Sequence, residues 1–121
     1  MTVVLVAVAA FAGAVCRYVV DLAVQHRTGG RRPLGTLVVN VSGSLALGLL
    51  VGVSLHHGLD PGVRTVVGTG FLGAYTTFST FALETVRLVE EGTSLDALSH
   101  AAVSTVLGLA AAGTGLALTA L

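Results

Sequence analysis

Gly68 to Phe81 reads Gly-Thr-Gly-Phe-Leu-Gly-Ala-Tyr-Thr-Thr-Phe-Ser-Thr-Phe, and the fold turns on how that stretch behaves. It lies in an uncharged run long enough to cross a membrane, yet it opens with three glycines and continues with hydroxyls. In lipid every backbone amide and carbonyl must find a partner. Non-helical backbone at membrane depth therefore survives only where it is buried in protein or lines a wet cavity. The stretch predicts a transmembrane helix broken in its middle, with a functional site at the break. Helix ends exposed there offer orphan amides on one side and orphan carbonyls on the other, which bind anions and cations respectively.

The surrounding chain agrees with a membrane setting. Of 121 residues, 54% are hydrophobic and only 10% charged, and the mean hydropathy is +0.92. That is too little charge to cover a soluble domain of this size. Six arginines, with no lysine, balance six acidic residues, so no basic face is set aside for nucleic acid. The single cysteine, Cys16, excludes an internal disulfide or a cysteine-based metal site and reads as a small packing residue. Ala12 to Cys16 faintly resembles a lipoprotein cleavage site, but no positive charge precedes the apolar run and Arg17 follows at once.

About 20 apolar residues span the hydrocarbon core, and four segments qualify: 2–24, 34–55, 62–88 and 95–121. The loops between them are too short to hold a soluble domain, and no strand alternation is visible, so the expected class is all-α integral membrane. Four spans place both termini and the second loop on one side, where only Arg64 lies. Arg27, Arg31, Arg32 and Arg87 fall on the other. This bias predicts a cell-membrane protein with its termini outside.

Polar residues recur at helical spacing. Ala9, Gly13, Arg17 and Asp21 share one face of the first span. Arg17 has two readings: a snorkelling anchor paired with Asp21, or a cation that sets the potential of an anion path. Asn40, Ser44, Gly48 and Gly52 form a stripe on the second span. Close helix packing accounts for its small residues, while the Asn40 amide needs partners and can donate to an anion. In the third span Phe78, Phe81, Glu84 and Arg87 follow at three-residue steps beside Thr76, Thr77, Ser79 and Thr80. Ser104, Gly108 and Ala112 make a packing face on the fourth span. His100, one turn before Ser104, is either interfacial or the outer end of a polar track.

No catalytic set assembles, so an enzyme is not expected. A coupled exporter of cationic drugs needs a membrane-embedded carboxylate, which the first span lacks before Asp21. What converges instead is a set of weak donors: the Asn40 amide, the Thr77, Ser79 and Thr80 hydroxyls, and the positive ring edges of Phe78 and Phe81. Weak, numerous donors suit passage of a small hydrated anion, which must be held and then released.

Three motifs in order carry a family resemblance: Gly-Ala-Val-Cys-Arg-Tyr at 13–18, Gly-Thr-Leu-Val-Val-Asn-Val-Ser-Gly-Ser at 35–44, and Gly-Phe-Leu-Gly-Ala-Tyr-Thr-Thr-Phe-Ser-Thr-Phe at 70–81. Over nearly its whole length the chain resembles the Fluc (CrcB) fluoride channels. The resemblance implies an antiparallel dimer of four-helix subunits, two fluoride pores, and a central sodium ion held by carbonyls at the helix break. By position, Gly73 and Thr76 look like the sodium carbonyl donors, and Phe78 and Phe81 like the ring-edge box. Asn40 looks like the pore-lining amide, with Thr77, Ser79 and Thr80 in the hydroxyl-rich segment. Arg17 matches the first-helix arginine, Glu84 the pore-end position, and Ser104 the fourth-helix polar track. His100 departs from the tyrosine often found there.

The implied activity is passive export of cytoplasmic fluoride, which relieves its toxicity. The arginine bias adds a partner expectation, because a chain that pairs with an inverted copy of itself should show almost none. It predicts pairing with an oppositely oriented paralogue, the alternative being an antiparallel homodimer. Two rival functions remain at this stage: the coupled multidrug transporter, and a non-conducting subunit that completes a partner's pores.

Overall fold

The computed structural model describes residues 1–30 and 32–121; Arg31, counted above in the arginine bias, lies outside the described residues. Four helical spans run Thr2–Thr28, Leu34–His56, Pro61–Glu90 and Ser94–Leu118. The fourth stops three residues short of the chain end, where 95–121 had been expected. Helices α1 (Thr2–Thr28) and α2 (Leu34–His56) are continuous. The α1 helix ends on Gly29 at φ 75°, a left-handed cap that suits glycine. The third span is composite: α3 (Pro61–Arg64), a π-helical stretch (Thr65–Leu72), α4 (Gly73–Tyr75) and α5 (Phe78–Glu90). Asp60 starts it by accepting from the amides of Gly62 at 2.8 Å and Val63 at 3.1 Å, with Pro61 in the first turn. The fourth span is α6 (Ser94–Leu118).

Small residues bring the helices together. A Cβ on Gly48 of α2 would fall on the Ala112 carbonyl of α6, and one on Gly115 of α6 on the Leu45 carbonyl of α2. A Cβ on Gly13 of α1 would strike the Phe71 carbonyl. Without a hydrophobic drive between helices in lipid, such backbone-to-backbone approach is what holds a bundle. The interior is small, with Val39 fully buried and Leu72 and Ala97 nearly so. Phe11, Val106 and Leu109 instead lie outward, the apolar coat that a bilayer requires.

The break does not fall at the glycines. Gly73 keeps helical dihedrals, φ −62° and ψ −32°. Helical geometry is lost at Thr76 (φ −77°, ψ 157°) and Thr77 (φ −146°, ψ 123°). The glycines serve packing instead, for a Cβ on Gly70 would lie 2.9 Å from the Val6 carbonyl of α1. The third span thus breaks in its middle as expected, three residues beyond the last glycine of the motif.

Candidate functional site

Asn40 makes the break. Its Nδ2 donates to the Thr77 carbonyl and its Oδ1 accepts from the Thr77 amide, both at 2.8 Å. A side-chain amide thereby satisfies both polar groups of one extended residue, as buried backbone demands. The Thr77 amide would bond the Gly73 carbonyl if the helix ran on; turned toward Asn40, it releases that carbonyl. The Asn40 amide was expected to face an anion, and half of its donor capacity is instead spent on the backbone. One N–H remains.

Thr77 also restarts the helix. Its Oγ1 caps α5 by accepting from the Thr80 amide at 3.2 Å, and it contacts the Thr80 and Ser79 hydroxyls at 3.0 and 3.3 Å. A cavity of about 300 Å³ opens at the break, lined by Asn40, Ser44, Thr76, Thr77, Phe78 and Phe81 among others. The Phe78 and Phe81 ring centroids are 5.8 Å apart. Phe78 is 79% exposed, so one half of this pair faces outward from the single chain. Ser79 and Gly73 lie exposed on the surface as well.

Arg17 does not pair with Asp21. Its Nη1 reaches the Thr76 carbonyl at 3.5 Å, and Asp21 accepts from Gln25 at 2.9 Å. Both line a smaller cavity of about 140 Å³ with Thr36, Thr77 and Thr80. The anchor reading of Arg17 thus gives way to a cation aimed at the broken backbone.

Three-residue spacing puts Glu84 and Arg87 on one face of α5. Among the described residues no ion pair joins them. Glu84 Oε1 accepts from Thr36 Oγ1 at 2.8 Å, and Oε2 lies 3.7 Å from His100 Nε2. His100 faces inward, its ring centroid 5.3 Å from that of Phe81. Ser104 lines a separate cavity with His100, and its hydroxyl is buried with no partner. Most of the expected residues therefore gather along α5 and the break, while Ser104 stands one turn beyond on α6. Thr36 is the member that sequence reasoning missed. It is 3% exposed and sits one turn before Asn40, on the same stripe.

Comparison with known proteins fits this arrangement. The family model described as CrcB-like protein, Camphor Resistance (CrcB), matches residues 4–116. A protein of Symbiobacterium thermophilum named fluoride-specific ion channel FluC 1 is 50% identical over 120 residues, covering 98% of this chain and 97% of its own. A Leifsonia xyli protein of the same name is 45% identical, covering 96% and 85%. The Mycobacterium tuberculosis protein named fluoride-specific ion channel FluC 2 is 48% identical, covering 85% and 79%. These relatives are named as channels and not as enzymes. A family match from residue 4 to 116, over a multi-pass bundle with its third span broken, means that this chain belongs to the CrcB family.

Proposed function

We propose that this chain is a fluoride-selective passive channel that lets cytoplasmic fluoride leave the cell, working as an antiparallel dimer with two pores. The observation that carries this reading is the Asn40–Thr77 pairing, which fixes extended backbone beside two phenylalanines and a row of hydroxyls. The names borne by relatives at 45–50% identity support the ion. The remaining Asn40 N–H, the threonine hydroxyls and the Phe78 and Phe81 edges offer partial positive charge in place of lost water. None holds a full charge against the ion, so release stays fast. The outward face of Phe78 supports completion of each path by a second subunit.

A central sodium ion forms part of the proposal. Hard cations take oxygen ligands, and the released Gly73 carbonyl together with the extended Thr76 carbonyl supplies two per chain. Two chains would supply four. The Arg17 guanidinium already approaches the Thr76 oxygen at 3.5 Å, and that carbonyl keeps a second lone pair for another partner. Such an ion would add a fixed positive charge between the two paths.

Fluoride efflux from liposomes, read by electrode beside a chloride control, tests the reading. Phe81→Ile is expected to slow efflux about tenfold, the equivalent of about 1.4 kcal/mol of lost ring-edge interaction, while the dimer stays folded. Wild-type efflux in that variant removes the ring from the mechanism.

The proposal extends to orientation. Four arginines against one support termini outside and pairing with an oppositely inserted paralogue, with the homodimer as alternative. Cysteine-accessibility mapping of both termini decides: one labelled orientation is expected, and equal populations would establish dual insertion.

A further inference from the structure

The region around Glu84 holds a feature that the conduction path at the break does not use. Glu84 Oε2 and His100 Nε2 are both buried without a hydrogen-bond partner. They face each other at 3.7 Å, and the His100 side chain is only 8% exposed, that of Glu84 20%. The separation is too long for a direct hydrogen bond. A small closure, or one bridging water, would let the two share a proton. Ser104, one turn along α6, adds a hydroxyl oxygen that is likewise buried with no partner.

The pair lies near one membrane face, at an accessible depth. Glu84 is six residues before the end of α5 at Glu90, and His100 six after the start of α6 at Ser94. Six residues of helix cover about 9 Å. Other charged groups around the pair are few. Arg87 follows Glu84 on α5, and Asp96 precedes His100 by one turn on α6. Arg32, from the loop before α2, lines the His100 cavity. The part of α2 packed here offers the Thr36 hydroxyl and no titratable group, and from α1 Asp21 shares a cavity with Thr36. No cation within 4 Å balances Glu84 among the described residues unless His100 is protonated.

We propose that His100 and Glu84 form a proton-binding pair at the end of the anion path, whose proton cancels the Glu84 charge and so sets how fast anions pass. The proposal rests on the channel reading above and concerns its regulation. With the proton absent, the pair carries one uncompensated negative charge, which repels an approaching anion. With the proton taken up from the adjoining water, the pair is neutral as a unit, and Ser104 can donate to the passing ion. The Phe81 ring, tilted against that of His100, ties this end of the path to the aromatic pair. Flux therefore rises as pH falls through the titration of the pair.

The test is electrical, because current reports fluoride ions and excludes neutral hydrogen fluoride. In planar bilayers with symmetric sodium fluoride, both solutions are moved together from about pH 8 to about pH 5, the range in which imidazole changes charge. Wild-type current should rise about fivefold, the effect of one unit charge acting across roughly 4 Å in a water-like dielectric. His100→Gln should abolish the step, and His100→Tyr serves if that variant misfolds. A second readout separates titration from mere packing. The His100 ring, followed by magnetic resonance in detergent, should change its titration in Glu84→Gln, which lacks the neighbouring charge. A wild-type current that is large but flat with pH overturns the proposal and leaves the channel intact. So does a step that survives His100→Gln, or a ring titration unmoved by Glu84→Gln. Absence of fluoride current at every pH, from the chain alone and from the chain together with its paralogue, overturns the channel reading itself.

Discussion

Asn40→Leu should abolish fluoride flux and destabilise the subunit by about 2–6 kcal/mol, since it strands two buried backbone groups at roughly 1–3 kcal/mol each. Leucine keeps the branched skeleton of asparagine and leaves no cavity, so the loss is chiefly one of hydrogen bonds. The Thr77 amide and carbonyl both lose the Asn40 partner that they have across the break. The amide then returns to the Gly73 carbonyl or stays unpaired, and either outcome closes the geometry that sets Thr77, Phe78 and Phe81 around the cavity. Asn40→Asp removes the donor alone. An aspartate keeps the acceptor for the Thr77 amide but sets a carboxylate oxygen against its carbonyl, so stability should fall at least as far as in Asn40→Leu. Flux should still be lost, because a carboxylate now faces the anion. Liposome efflux and thermal unfolding of the purified protein in detergent measure the two effects. Normal flux with normal stability in Asn40→Leu would show that the break holds itself open.

Gly48→Val should prevent assembly of the bundle, at a cost of about 3 kcal/mol or more. The obstacle is the Ala112 carbonyl of α6, a backbone atom that cannot swing aside. To admit a side chain, α2 and α6 must move apart along the most extensive helix contact in the molecule. Gly108→Ala is the matched control on the same interface. Its added carbon would sit 3.6 Å from Ser44 Oγ, an ordinary contact, so it should be tolerated. Gel-filtration profile and melting temperature report the result; equal behaviour of the two variants would mean that the helices do not meet at Gly48.

The four spans and the break within the third were legible because each leaves a local mark: apolar length, or polar and small residues at helical spacing. The stripe from Ala9 to Asp21 does mark the inner face of α1. Gly13 meets Phe71, and Arg17 meets the Thr76 carbonyl. The position of the break was misread because glycine is conspicuous in sequence while its destination is not. In the fold the glycines stay helical and let α1 approach. What ends the helix is a competitor for one amide, Asn40, which lies 37 positions away in sequence. The partners of Arg17 and Glu84 were hidden for the same reason: Asp21 and Arg87 are near in sequence, whereas Thr76, Thr36 and His100 are brought close only by packing. Thr36 could have been found. It extends the stripe of Asn40, Ser44, Gly48 and Gly52 back by one turn, and a hydroxyl on that face needs a partner.

The wide-pitched stretch from Thr65 to Leu72 has a consequence for how chains of this kind can vary in length. A helix that closes its bonds over five residues instead of four accommodates one more residue without lengthening the span in proportion. Deleting one residue there would let the stretch close up toward an α-helix with its downstream face kept, whereas the same deletion in the α-helical part, Gly73–Tyr75, would turn everything beyond it by about 100°, the angular step of one residue. Thr77 would then swing away from Asn40, even though neither residue had changed. The stretch thus acts as a phase buffer between Pro61–Arg64 and the break, and a single deletion within it is taken up as a change of winding, not felt as a rotation.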